Sequence, residues 1–209
     1  ALGPLTNIAK AMMQRENQFV ELVDEFILMG GCGNARGNIT RVAEFNIYND
    51  ADAAKYVFQY WNRQTISVAS WEYTVQHPLP WQYFDDFLGI NNPRHNQVGA
   101  FLSKILHKTY GRHEESEERK SSPRTSDGAV ICDPCAMIYF IEKRTAKSVE
   151  LVHVDVECQS ELTRGMTILD WGSYDGINRE KNVKWLMQMD ENFMLNILRR
   201  ICLDISDQA

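Results

Sequence analysis

Phe26-Ile-Leu-Met-Gly-Gly31, followed by Gly37-Asn-Ile-Thr-Arg-Val-Ala-Glu-Phe-Asn-Ile-Tyr-Asn-Asp50, is the stretch on which the fold turns. A short apolar run halted by paired glycines reads as a buried strand, here Glu25 to Met29. Ala51 to Tyr60 then has Ala54, Val57 and Phe58 at helical spacing, with Asp50 as its cap. Upstream, Asn7 to Arg15 carries Ile8, Ala9, Met12 and Met13 on one helical face, with Thr6 in a capping position. Downstream, Thr65 to Ser70 is a second apolar strand. Helix, strand, helix, strand with short connections predicts a parallel sheet with crossover helices. Between the first strand and its following helix stand two amides and a carboxylate, Asn38, Glu44 and Asn46. Polar groups at a strand's carboxyl end are placed to bind the hydroxyls of a sugar.

Further along, the stretch through Trp71, Trp81 and Phe87 is aromatic and irregular, and Gln97 to Tyr110 has a helical pattern. Gly111 to Asp127 is charged and almost free of apolar residues, so it is expected to be a mobile loop, either a lid or a tolerated insertion. Ala129 to Cys132 reads as a strand, Pro134 to Glu142 as a helix, and Asp190 to Cys202 as a closing amphipathic helix. Val149 to Glu157, Met166 to Leu169 and Asn182 to Met189 alternate apolar and polar residues. That period of two predicts an antiparallel hairpin region. The expected architecture is therefore one α/β domain over residues 1–209. Its central, mostly parallel sheet is flanked by helices, with a small antiparallel hairpin region toward the C-terminus.

Composition narrows the function. The chain has 209 residues, 44% hydrophobic and 24% charged, the balance of a globular protein that can bury one substantial core. A net charge of -6 argues against binding to nucleic acid or anionic lipid, and no apolar run is long enough for a membrane helix. Five scattered cysteines suggest reduced thiols and a cytoplasmic location rather than a disulfide framework. The chain opens on Ala-Leu-Gly-Pro without Met, so it is read as N-terminally incomplete and secretion is left open.

Cys132-Asp-Pro-Cys135 admits three readings. It is a helix start, with Asp133 as cap and Pro134 at the first helical position. Or it is a redox dithiol, activated by a helix N-terminus. Or it is a metal or substrate site, because Asp133 supplies the oxygen ligand that hard cations such as calcium prefer. Gly30-Gly-Cys-Gly33 and the Leu169–Gly176 turn are weak glycine signals that match no phosphate-binding spacing. His77, His95, His107, His113 and His153 fall in no zinc pattern.

Taken in order, Leu2-Gly-Pro-Leu-Thr-Asn-Ile-Ala9, Met29-Gly-Gly31, Gly37-Asn38, Ala43-Glu-Phe-Asn-Ile-Tyr48, Asp133-Pro134 and Glu161-Leu-Thr-Arg-Gly-Met166 resemble the inosine–uridine-preferring nucleoside hydrolase family. The resemblance runs from end to end. It implies an α/β fold with a calcium ion at the carboxyl ends of the strands, and hydrolysis of a nucleoside's N-glycosidic bond to ribose and free base. It implies Thr6 as a backbone-carbonyl calcium ligand and Asp133 as a carboxylate ligand that also meets the ribose. Met29, Asn38, Glu44 and Asn46 match its ribose-binding positions. The partner implied is a small nucleoside, and homo-oligomers are common in the family. Two departures stand out. The family's aspartate cluster, which supplies further calcium ligands and the general base, has no counterpart in the sequence. Cys132 stands where many members have a histidine that protonates the departing base, which resembles a cysteine-bearing subgroup. Tyr110 is either a base-contacting or a packing residue. The alternative function is a short, inactive relative that binds ribose or nucleoside, or serves as an interaction module.

Overall fold

The computed structural model describes residues 1–15, 18–89, 92–110 (107–110 as backbone only), 127–172 and 175–204. The predicted loop 111–127 lies outside these residues except for Asp127, and so does the side chain of Tyr110. In chain order the elements are α1 (Thr6–Gln14), α2 (Gln18–Glu21), β1 (Ile27–Met29), α3 (Phe45–Asn49), α4 (Ala51–Tyr60), β2 (Ile66–Ala69), α5 (Trp71–Gln76), β3 (Leu79–Pro80), α6 (Trp81–Leu88), α7 (Gln97–Tyr110), β4 (Gly128–Ala129), α8 (Cys132–Ile141), β5 (Ala146–Val156), β6 (Thr167–Asp170), β7 (Val183–Met189) and α9 (Glu191–Cys202). They form two compact units, Ala1–Thr74 with Cys132–Met189 and Val75–Ile131 with Asp190–Ala209.

The first unit holds a five-stranded sheet in the order β1-β2-β7-β5-β6. β1 pairs with β2 in parallel, and β2 with β7 likewise, Val68 lying opposite Trp185. β5 then runs antiparallel to both β7 and β6. The α/β class matches the expectation, and the sheet is mixed. Its antiparallel part reaches the middle, because β7 pairs with β2 on one side and β5 on the other. Alternation gives a strand's exposed face but not the direction of its neighbour, so the sequence placed β7 in an edge hairpin.

Leu28, Ile66, Val68, Val183 and Trp185 of the sheet are buried with Leu5, Ala9 and Met12 of the α1 segment and Ala54, Val57 and Phe58 of α4. Each such side chain contributes roughly 1.5–3 kcal/mol on leaving water, which outweighs any single cap. α8 packs on β1 and β2. Its sequence Cys-Asp-Pro-Cys-Ala-Met-Ile-Tyr-Phe-Ile is apolar on nearly every side, yet Met137, Phe140 and Ile141 are exposed. Pro134 is its third residue rather than its first, a position still inside the turn whose N–H groups need no partner.

The second unit contains the β3–β4 pair and the mutually packed helices α6, α7 and α9. Here the irregular reading of the aromatic stretch is corrected: Phe84, Phe87 and Leu88 form the buried face of α6, at helical spacing that low aromatic propensity had masked. Asn96 ties α7 to α9, its amide donating to Ile201 O at 2.9 Å while its carbonyl accepts from Gly99 N at 2.9 Å.

Candidate functional site

The carboxyl ends of β1 and β2 converge on one glycine turn. Gly30 N donates to Ala69 O at 3.2 Å, and Trp71 N to Gly31 O at 2.9 Å, so the chain leaving β1 is held against the chain leaving β2. Gly31 has φ +80, and a Cβ there would stand 3.1 Å from Thr167 Cγ2 and 3.2 Å from the Trp185 ring. Both the backbone conformation and the crowding require glycine. Thr167 fixes the next residue twice, accepting from Cys32 N at 2.8 Å and donating to Cys32 O at 2.7 Å.

Glu44, read from the sequence as a loop residue, is the N-cap of a helix that the sequence did not reveal, the five-residue α3. It is only 2% exposed. Its carboxylate accepts from Asn46 N at 2.9 Å and Ile47 N at 3.2 Å, and from Gly31 N at 3.0 Å. One side chain thereby joins the glycine turn to α3. Burial raises its pKa, the three backbone donors oppose the rise, and the nearby Asp133 charge adds to it.

The two amides use opposite halves of their groups. Asn46, 7% exposed, donates from Nδ2 to Met29 O at 3.0 Å and approaches Met29 Sδ at 3.4 Å. Its Oδ1 has no partner among the described residues. Asn38 accepts at Oδ1 from Phe45 N at 2.8 Å, which leaves its Nδ2 hydrogens to a ligand. Asn46 thus leaves one acceptor beside the end of β1, and Asn38 leaves two amide hydrogens without a partner among the described residues. Which amide atom is nitrogen follows here from the partners, a carbonyl in one case and an N–H in the other.

Asp133 and Cys132 enter from the first turn of α8. The Asp133 pKa is raised by burial and lowered by the Ala1 ammonium. The Asp133 and Glu44 charges also contribute to raising Cys132. These mutual effects bring Glu44, Cys132 and Asp133 into one electrostatic neighbourhood. Cys132 is pushed up to about 11, first by burial. Its thiol therefore stays protonated near neutrality, the opposite of what a redox dithiol needs, and the buried Cys135 is pushed up as well. Thr74 Oγ1 donates to Trp71 O at 2.8 Å and lies 3.7 Å from Cys132 Sγ. The Thr74 hydroxyl is thereby shared between Trp71 O and, more weakly, the Cys132 sulfur.

Thr6 is the first residue of α1 rather than its cap, since Leu5 occupies that position without a side-chain bond. The Thr6 hydroxyl donates to Asp50 Oδ2, while Asp50 Oδ1 caps α4 through Ala53 N at 3.1 Å. What the geometry shows of Thr6 is a tie between two helices. Glu161–Met166 packs beside the Ala43–Tyr48 segment. Its Arg164 bonds Cys158 O at 2.7 Å and pairs with Asp52 of α4, and Gly165, at φ +82, packs on Tyr48 of α3. Sequence reasoning missed Thr74, Thr167 and Glu72, whose Oε1 accepts from Gly33 N at 2.8 Å. Nothing in their local sequence marks them, because each acts across a long sequence separation.

Among the described residues no group of three acidic, histidine or cysteine side chains could hold a metal ion. Calcium takes about six to eight oxygens, and Glu44 already spends its oxygens on three backbone donors. Asp133 and the Thr6 carbonyl do not by themselves fit that demand.

Comparison with known proteins agrees with the motifs. The profile of the inosine-uridine preferring nucleoside hydrolase family matches residues 1–196. The inosine-uridine preferring nucleoside hydrolase of Leishmania major is 33% identical over 184 residues, covering 81% of this chain and 48% of that protein. The pyrimidine-specific ribonucleoside hydrolase of Escherichia coli K12 is 28% identical over 196 residues, 94% of this chain and 58% of its own length. A solved inosine-guanosine nucleoside hydrolase superposes with a TM-score of 0.80 at 28% identity, over 96% of this chain and 60% of that one. The chain spans about half to three-fifths of the length of these relatives. With a family profile that covers nearly its whole length and relatives that match it along most of the chain, this chain belongs to the inosine-uridine preferring nucleoside hydrolase family.

Proposed function

We propose that this chain carries the ribose-binding wall of a hydrolase that cleaves the N-glycosidic bond of ribonucleosides to ribose and free base. The observation that carries the reading is the complementary pair of amides on either side of the Glu44 cap in sequence, Asn46 held at Met29 O and Asn38 held at Phe45 N. A ribose presents hydroxyls that both donate and accept, and this wall supplies one free acceptor and one free NH2. Fixed amides and carboxylates also suit the oxocarbenium-like transition state of glycosidic cleavage, because their dipoles need no reorganisation as positive charge develops on the ring. Asp133 is the carboxylate we place nearest the sugar. Cys132, protonated and set beside Thr74, packs beside the ribose rather than protonating the departing base.

Calcium belongs to this proposal as the ion that Asp133 and the Thr6 carbonyl would help to hold, with remaining oxygens from elsewhere in the polypeptide. The substrate is a small nucleoside, and the chain assembles with copies of itself and works in the cytoplasm in this reading. Among the described residues no helix is long and apolar enough to cross a membrane. Ribose release from inosine and uridine, followed with calcium titrated into the whole polypeptide that carries this chain, tests the function. Calcium-dependent turnover lost in Asn46→Ala is expected. Ribose binding without turnover at any calcium concentration would instead establish the inactive, sugar-binding alternative.

A further inference from the structure

A second cavity, of about 830 Å³, opens in the sheet-bearing unit at the far end of the same strands. Thr65, which leads into β2, and Asn182, which leads into β7, both line it. The sugar wall follows the carboxyl ends, so the length of β2, about 13 Å for four residues, separates the two regions. The volume falls in the range of small-molecule pockets, about 300–1,000 Å³.

Its lining inverts the charge of the chain. Lys55, Arg63, Arg179 and Lys181 face Asp155 and Glu180, four cations against two anions, in a protein of net charge -6. The cations are unequally committed. Arg179 is held by Asp170 and Asp175. Lys55 is only loosely paired with Asp155, at 3.7 Å, whereas Arg63 donates to Glu21 O and Val20 O and stands 3.6 Å from Asp24. Lys181 has no acceptor among the described residues. Trp61 also lines the wall, 4% exposed, with its Nε1 buried and without a partner. An indole N–H can only donate, and leaving it unpaired costs about 1–3 kcal/mol. The floor is rigid, since the Asn182 amide is spent on Phe58 O at 2.9 Å, Val154 O at 3.0 Å and Val154 N at 2.8 Å.

These donors select an anion. The same lining offers a nucleoside little, because Trp61 and Phe58 are buried, which leaves only the half-buried His153 of its aromatic members for a base to stack on. We propose that this pocket is a second ligand site, for a small multiply charged oxyanion of the phosphomonoester class, with Lys181 and Lys55 as its principal cations.

Calorimetric titration of the 209-residue chain with inorganic phosphate and with glycerol 3-phosphate tests the proposal at constant ionic strength. Citrate serves as the carboxylate arm and glycerol as the neutral control. Saturable binding of both phosphates is expected, with none of glycerol. Lys181→Glu should weaken it by about tenfold or more and Lys181→Arg should preserve it. Asn46→Ala, which alters the sugar wall, should leave it unchanged. Binding that merely follows ionic strength, equal affinity in Lys181→Glu, or no saturation below ~10 mM, about 2.7 kcal/mol of binding free energy, would overturn the site. Citrate binding in the absence of phosphate binding would overturn its assignment to phosphate esters.

Discussion

The two halves of the five-stranded sheet are built on different terms. In the parallel half, β2 is buried at every residue from Ile66 to Ala69. In the antiparallel half, β5 alternates, and Val149 is 37% exposed while Val154 on the same strand is 1% exposed. Parallel strands must hand their chain to crossover helices, so their carboxyl ends bring a glycine turn, a capping carboxylate and a helix start together. Antiparallel strands need no such crossings, and their turns carry surface ion pairs such as Arg179 with Asp175. The chemistry therefore gathers on the half whose connections force polar groups inward.

Exchanging one carboxylate in each half breaks the comparison most directly. Asp133→Asn is expected to lower nucleoside turnover by the whole polypeptide about 100- to 1,000-fold, as loss of a group facing developing charge does. Asp175→Asn should leave it within about twofold, since an exposed ion pair contributes little. Steady-state rates with circular dichroism as the folding control decide this. Equal losses would remove the distinction.

Glu44→Ala is next, at about 3 kcal/mol of stability in urea unfolding, because Gly31, Asn46 and Ile47 all lose their acceptor. The pH dependence has a definite sign. A buried carboxyl with a raised folded pKa is favoured when protonated. Its contribution is therefore fully present below the unfolded value near 4.5 and declines as pH rises through the folded value. Replacing it with Gln should flatten that part of the stability profile. A profile that declines as steeply in Glu44→Gln as in the parent would show that another group is responsible.

Cys132 offers a smaller, kinetic contrast. With its thiol pushed up to about 11 from 9.0, the thiolate fraction at pH 7.5 is about 100-fold below that of an ordinary cysteine. Alkylation followed by peptide mass mapping should be slow at neutral pH and accelerate up to about pH 11; rapid labelling at pH 7.5 would contradict the buried environment. Smallest is the pair on β5. Val154→Ala should cost about 1–2.5 kcal/mol and Val149→Ala no more than about 0.5, so similar costs would mean that the alternation does not set the core.

Much of this was legible beforehand for particular reasons. Asp50 was readable as a cap because capping is local, and the structure finds it bonded to Ala53 N. The strands at Glu25–Met29 and Thr65–Ser70 announced themselves by uninterrupted apolar runs. Glu44 was readable as a family position yet not as a helix cap, since a five-residue helix is too short to show a period. Thr74 beside Cys132 and Thr167 around Cys32 were not readable at all: their partners lie 58 and 135 residues away.

By itself, then, the sequence determined the α/β class and the family, because strand length, glycine stops, caps and an ordered motif set are local properties of the chain. Only the tertiary structure decided that β7 joins a parallel to an antiparallel half, that Glu44 spends its oxygens on backbone donors, and that the Cys132 thiol is half-buried beside Thr74. Those outcomes depend on which distant groups are buried together, and burial is what fixes strand direction, hydrogen-bond allocation and protonation.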